Sequence, residues 1–292
     1  MAQEKTDGFN KIDINNSNKE IITLIENEKP FTVVRVAQET DVTVEYKFTK
    51  KIKEKYLYHL SNNAGIYFKD DISSIVKFCE LHYNAIEKSN LLACFNMPQH
   101  FKKQNFFSSK YKLKKIHARS LEPFYACLEN LKPWTLYLHS KKVLIIHPFV
   151  ESFKKQIENN FSIFKDKDIF HPDQEFKFYK SFQTIAGNHI HNNWFDTFSI
   201  MCDEIKKIDF DIALLGCGGY GLPLCEFIKS ELGKSAIYIG GGLQLLFGVM
   251  GNRWENREDW KKIIKENECK FIRPSGSEIP ENFKHVEYGC YW

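Results

Sequence analysis

Residues 211–224 read DIALLGCGGYGLPL, in which a short apolar run leads into three glycines, Gly216, Gly218 and Gly221, at G-x-G-x-x-G spacing. An unbroken apolar run of this length, without helical periodicity, predicts a strand buried on both faces from Phe210 to Leu215. The segment that follows, LPLCEFIKSEL (222–232), predicts a helix that Gly233 ends as its C′ residue. Strand, glycine turn and helix form the opening of a βαβ unit. The glycines permit a tight turn and close backbone approach, and the N–H groups at the start of the helix favour an anion, so phosphate binding is the physical expectation. Glycines that serve only helix-on-strand packing are the competing reading.

The next strand, KSAIYIGG (234–241), ends in a second glycine turn, Gly240, Gly241 and Gly242. A dinucleotide site requires an Asp or Glu at that strand end to bond the ribose hydroxyls. None is there. The same gap counts against an S-adenosylmethionine site, whose LGCGxG turn the first glycine run matches in spelling. Two strands that both end in glycine turns at the carboxyl edge of a parallel sheet nevertheless place a ligand there. Beyond the edge, LQLLFGVMGNRW (243–254) is apolar except at Gln244, Asn252 and Arg253.

Outward from this unit, further strands are predicted at FTVVRV (31–36), AGIYF (64–68), NLLACFN (90–96) and KKVLIIHPF (141–149). Helices are predicted at SNKEIITLIENEKP, with a capping-box spacing from Ser17 to Glu20 and a stop at Pro30. They are also predicted at ESFKKQIENNFSIF, through Phe153, Ile157, Phe161 and Phe164, and at NWFDTFSIMCDEIKKI. Strands alternating with helices predict an α/β, Rossmann-like fold: a mainly parallel sheet covered by helices on both faces. One domain with a lysine-rich insertion around 97–120 is the economical division, and the run KKQNFFSSKYKLKKIHAR (102–119) reads as a solvated loop.

The bulk properties are those of a globular enzyme-sized chain. It has 292 residues, 43% of them hydrophobic, enough for one large core. A net charge of +4, with lysines scattered among acids, speaks against a nucleic-acid partner. Eight cysteines include no C-x-x-C pair and read as reduced core residues of a cytoplasmic protein. The opening MAQEKTDGFNKIDINN has no apolar core of a signal peptide, and no stretch reaches the roughly 18 apolar residues of a membrane span.

The segment from DIALLGCGGYGLPL through MGNRW, with KKVLIIHPFVESFKKQ and the closing VEYGCYW, resembles bacterial and viral proteins grouped with the GT-D-fold glycosyltransferases, often encoded among surface-polysaccharide genes. The similarity is dense over 120–292, and it implies one GT-D-like domain over 1–292 and a nucleotide-sugar donor, a UDP-sugar, with a glycan acceptor. Characterised GT-D enzymes carry an R-x-G-D-G-E segment whose Asp-x-Glu pair binds a divalent metal, Mn2+ or Mg2+. The matching place here is VVRVAQETDV. Arg35 stands at the family arginine, Ala37 and Gln38 replace the Gly-Asp part, and Glu39 and Asp41 form the carboxylate-x-carboxylate pair that would hold the metal.

Sugar transfer from a nucleotide donor requires stabilisation of charge on the departing diphosphate. The donor-binding candidates are Arg35, Gly216, Gly218, Gly219, Tyr220, Gly221, Gly241, Gly242, Gln244 and Arg253. Backbone donors come from the two glycine turns and a cationic clamp from Arg253. Glu39 is the candidate base or metal ligand. His147, at the end of IIHPFVES, is a candidate acid or base that Glu151, one helical turn on, would orient. For Arg35 and Glu39, a buried ion pair in the sheet is the competing reading. His189 and His191 alternate as metal ligands do but lack a third ligand, and read as a surface loop. A catalytically degenerate nucleotide-sugar-binding or scaffold protein is the second functional reading, and a nucleotide-dependent oxidoreductase the third.

Overall fold

The computed structural model describes residues 12–36, 38–49, 54–68 and 72–292. The polar opening of the chain up to residue 11, Ala37 and the side chain of Gln38 lie outside the described residues.

In chain order the elements are α1 (Ile14–Glu26), β1 (Thr32–Arg35), α2 (Gln38–Thr49), α3 (Glu54–Ala64), α4 (Ile72–Glu87), β2 (Leu91–Cys94), α5 (Pro98–Tyr111), β3 (Lys114–His117) and α6 (Phe124–Leu128). Then come β4 (Val143–His147), α7 (Val150–Glu158), β5 (Phe176–Lys180), α8 (Trp194–Ile205), β6 (Ile212–Leu215), α9 (Gly221–Ser230), β7 (Ser235–Tyr238), α10 (Leu243–Leu246), α11 (Asn252–Glu255) and α12 (Glu258–Asn267). The strands form one seven-stranded sheet in the order β3-β2-β1-β7-β6-β4-β5. Every pairing is parallel.

Successive strand residues point to opposite faces, so the unbroken apolar runs feed two cores. One contains Val33, Leu91, Ile237, Leu214 and Ile145, which lie side by side across the sheet and pack beneath α1, α6, α7 and the segments after β7. The other contains Val34, Leu92, Ala236, Ala213 and Leu144 under α2–α5, α8 and α9. β1 and β7 are neighbours, yet the chain leaves β1 over the second face, through Val42, Leu60 and Phe78, and leaves β7 over the first, through Leu243, Trp254 and Trp260. The two departures open a crevice at their carboxyl ends, the topological switch point of an open α/β sheet.

Several sequence expectations are corrected. The run at 97–120 is no insertion or solvated loop: α5 crosses to β3, which pairs with β2 as the edge strand of the sheet. Its lysine-rich spelling is that of an edge, where one side of the strand meets solvent. AGIYF is not a strand. Gly65, at φ +70°, turns the chain, and Ile66 N–H, Gly65 C=O and Tyr67 C=O bond to Leu60, Thr184 and Trp194 and to no neighbouring strand. α1 starts one turn before the expected capping box: Asp13 is the N-cap and accepts from Asn16 N–H at 2.7 Å. α7 stops at Glu158, short of Phe161, because Asn160 takes φ +52°. α8 does open with a capping box, Asn193 with Asp196.

Candidate functional site

The crevice holds a small cavity lined by the ends of β1, β4, β6 and β7. Arg35 comes from β1, His147 from β4, Gly216, Cys217 and Gly218 from the turn after β6, and Tyr238, Gly240 and Gly241 from the end of β7. Thr184 and Tyr220 close one side, and Gln244, Tyr291 and Trp292 the other. Its volume is about 100 Å³, room for several water molecules. It therefore admits a phosphate-sized group, with the remainder of a larger ligand at its mouth.

Arg35 is the cation of the cavity. Its guanidinium lies between the rings of Phe95 and Tyr238, 5.5 and 5.3 Å from their centroids. Its Nε is buried without a hydrogen-bond partner, and no ion pair reaches it among the described residues. The buried ion pair with Glu39 considered from the sequence is therefore absent, although the two charges do act on each other. A guanidinium held by aromatic faces keeps its in-plane N–H groups for another acceptor.

His147 is 3% exposed. Its Nδ1 accepts the Phe149 N–H at 3.0 Å, which places the ring proton on Nε2. The Cδ2–Nε2 edge lies over Gly216, where a Cβ would come within 2.6 Å of Cδ2. Burial pushes the imidazole down to about 3, so it stays neutral at physiological pH. In this arrangement His147 offers the cavity a hydrogen-bond donor, its Nε2–H.

Glu151 does not orient it. That carboxylate is 58% exposed and pairs with Lys154, while the orienting contact is the Phe149 amide. The start of α7 is satisfied from within the protein: Glu278, 1% exposed, accepts the Glu151 and Ser152 N–H groups at 3.0 Å each and also bonds the Ser152 hydroxyl.

The two glycine turns do different things. Gly216 and Gly218 line the cavity, and Gly218 takes φ +57°. Gly219 and Gly221 do not line it. They are glycines because Ile66 and the Tyr238 ring occupy the space a Cβ would need. The second turn makes room for protein side chains: Gly240 faces the Arg35 guanidinium, Gly241 the Tyr291 ring and Gly242 the Glu122 carboxylate. Gln244 is fully buried, its Nε2 donating to the Val249 and Tyr291 carbonyls, while its Oε1 has no partner. Tyr220 bonds Thr184 at 2.8 Å and stacks on Trp194. Arg253 lies on the outer side of Tyr291, 4.5 Å from its ring centroid, bonded to Glu287, and is not a clamp in the cavity.

Glu39 and Asp41 both lie in the first turn of α2. Asp41 Oδ1 is 2.7 Å from the ammonium of Lys103, itself 4% exposed. Glu39 is 5% exposed, and burial raises its carboxyl toward the neutral form against the pull of Arg35 and Lys103. No group of three or more His, Cys, Asp or Glu able to hold a metal occurs among the described residues. One carboxylate already joined to an ammonium and one held toward protonation do not fit a divalent cation. His189 stacks on Tyr67 and His191 bonds Thr197, so neither stands as a ligand pair.

Sequence reasoning missed Glu122 and Glu278. Neither sits in a motif; for Glu122 the signal was indirect, since three successive glycines announce that something presses against them without saying what, and for Glu278 there was none.

Set against known families, residues 13–246 match the model of the GT-D fold-like domain. No curated protein matches the chain. No helix among the described residues is long and apolar enough to cross a membrane.

Proposed function

The chain belongs to the GT-D fold-like domain family, and on that premise we propose that it is a glycosyltransferase that moves a sugar from a nucleotide donor, a UDP-sugar, to a glycan acceptor. The observation that carries the reading is the convergence, at the switch point, of donors without acceptors. The Arg35 guanidinium and the His147 Nε2–H face one phosphate-sized cavity beside the Gly216–Gly218 turn. As the anomeric C–O bond to the diphosphate breaks and the acceptor oxygen bonds that carbon, negative charge grows on the diphosphate. A fixed guanidinium and a fixed N–H stabilise it without reorganising.

Calorimetry with UDP tests the reading. Gly218→Asp puts a carboxylate at the cavity wall, at a backbone conformation Asp tolerates better than most residues. UDP affinity should then fall by at least tenfold in a variant that keeps its fold. Unchanged affinity would place the nucleotide elsewhere.

A second reading, a nucleotide-sugar-binding protein without turnover, is favoured by one observation: Glu39 is buried and His147 is a donor, so neither proposed base is poised as one. Donor consumption decides between the two readings, assayed with sugar acceptors and with water. Tight UDP-sugar binding with no consumption under any acceptor would establish the second.

A further inference from the structure

The chain has five arginines, and the charges of four of them, Arg35, Arg257, Arg119 and Arg253, act on a single carboxylate, Glu122. They come from separate places: the end of β1, the 3-10 turn after β3 (Ala118–Leu121), α11 and the residue before α12. Glu122 follows that turn, and its carboxylate rests on Gly242. Among the described residues no hydrogen bond or ion pair reaches it. A structural salt bridge would seat carboxylate oxygens on guanidinium nitrogens, and here none is seated.

The guanidiniums are fixed by other contacts. Arg119 lies 4.9 Å over the Tyr125 ring, Arg253 lies on Tyr291, and Arg35 lies between Phe95 and Tyr238. Arg257 grips Asp259 and bonds Tyr125. Arg119 and Arg253 are exposed and Arg257 is half-buried, so the cluster is open to solvent. Counting Glu122, Asp259 and Glu287 against the four guanidiniums leaves it net positive. Guanidinium planes held in place by aromatic rings match the several oxygens of a phosphate group.

We propose that this cluster is a second anion site, across the Gly240–Gly242 turn from the cavity, and that it takes a phosphate or diphosphate group carried by the acceptor, with Glu122 as the counter-charge that takes up a proton when the anion arrives. The proposal rests on the reading of the cavity as the donor site: Arg119, Arg253 and Arg257 do not line the cavity, and Arg35 alone is shared. Burial pushes the Glu122 carboxyl up to about 7 even against the four arginines. Protonating it near neutral pH therefore costs little, and an incoming anion favours the protonated form. The other titratable groups that face it do not compete between pH 6 and 8. Burial raises the Tyr125 and Tyr291 phenols, and burial and Arg119 lower His117.

The test is calorimetry of the full chain with inorganic pyrophosphate at pH 6 and pH 8 and fixed ionic strength, with and without saturating UDP. Pyrophosphate should bind with UDP present, several-fold more tightly at pH 6. The pair Arg119→Gln and Arg257→Gln should lower that affinity at least tenfold and leave UDP affinity within twofold. Glu122→Gln should bind more tightly than the wild type at pH 8 and lose the part of the preference for pH 6 that goes beyond the titration of pyrophosphate itself, measured by its proton uptake in two buffers. One-for-one competition between pyrophosphate and UDP would overturn the proposal. So would undiminished pyrophosphate affinity in the folded double variant, or an unchanged pH dependence in Glu122→Gln. Failure of the donor reading shows separately, as UDP affinity that Gly218→Asp does not change.

Discussion

His147→Gln separates a buried hydrogen-bond donor from an acid–base catalyst, because the amide Nε2 of glutamine reaches the place of the imidazole Nε2 but cannot titrate. The imidazole is pushed down from 6.5 to about 3 by burial. Below pH 6.5 the unfolded chain therefore takes a proton that the folded chain refuses, and stability falls as pH falls. Between pH 7.5 and 5 this linkage removes about 2 kcal/mol. The amount hardly changes with the folded value so long as that value stays well under 5. His82, also pushed down to about 3 by burial and then by Lys103, removes a similar amount, a serious loss against a total stability of about 5–15 kcal/mol.

His147→Gln should weaken the protein at pH 7.5 by about 1–3 kcal/mol, since the Phe149 N–H loses its acceptor. It should also make the fall from pH 7.5 to 5 shallower by about 2 kcal/mol. Urea unfolding at the two pH values reads both quantities. The groups common to both proteins cancel in the difference. UDP affinity should stay within several-fold of wild type, because the donor is retained. Parallel pH slopes in the two proteins would refute the reasoning, and so would a titration of His147 near 6.5 seen by NMR.

Gly240→Ala forces a Cβ toward the Arg35 guanidinium at φ +78°; it should cost about 1–3 kcal/mol in urea unfolding and lower UDP affinity at least tenfold, and unchanged UDP binding would remove Arg35 from the site. Mn2+ titrated into the chain should find no stoichiometric site, and UDP affinity should be the same in EDTA as in Mn2+. A Mn2+ site that Asp41→Asn abolishes would show that Lys103 gives way to the metal. Glu278→Ala removes the buried acceptor of two backbone N–H groups at the start of α7 and should destabilise by about 3 kcal/mol; a loss within ordinary surface-mutation range would mean that water replaces the cap.

What the sequence made legible follows from how many neighbours each element has. The central strands β1, β2, β4, β6 and β7 are covered on both faces, and their unbroken apolar runs can be read without knowing the partner. β3 and β5, KKIH and FKFYK, are the two edges of the sheet. Each has one neighbour, and the lysines that suit an exposed edge hide the strand inside what looks like a loop. AGIYF fails in the opposite direction: Ile66 and Tyr67 are buried, so the run is apolar enough for a strand, but burial by α-helices needs no ladder, and its backbone bonds go to Leu60, Thr184 and Trp194 and to no neighbouring strand.

The site divides in the same way. A glycine turn at the end of a buried strand can be read locally, which is why the carboxyl edge was evident from Gly216, Gly218 and the turn at 240–242. The charge of the site cannot be read locally, because it is set by residues far apart in the chain. Arg35 and Gly240 lie about two hundred positions apart and Glu122 and Gly242 more than one hundred, yet each glycine is required by its partner's side chain. The second turn therefore has a meaning that the fingerprint spelling does not carry. Its bare Cα atoms accommodate a guanidinium, a phenol and a carboxylate. A glycine fingerprint in an open α/β sheet thus has two physically distinct uses, approach of a phosphate and approach of a side chain. Arg35→Gln distinguishes them here, since a turn that bound phosphate through its own N–H groups would keep its UDP affinity when the guanidinium is removed.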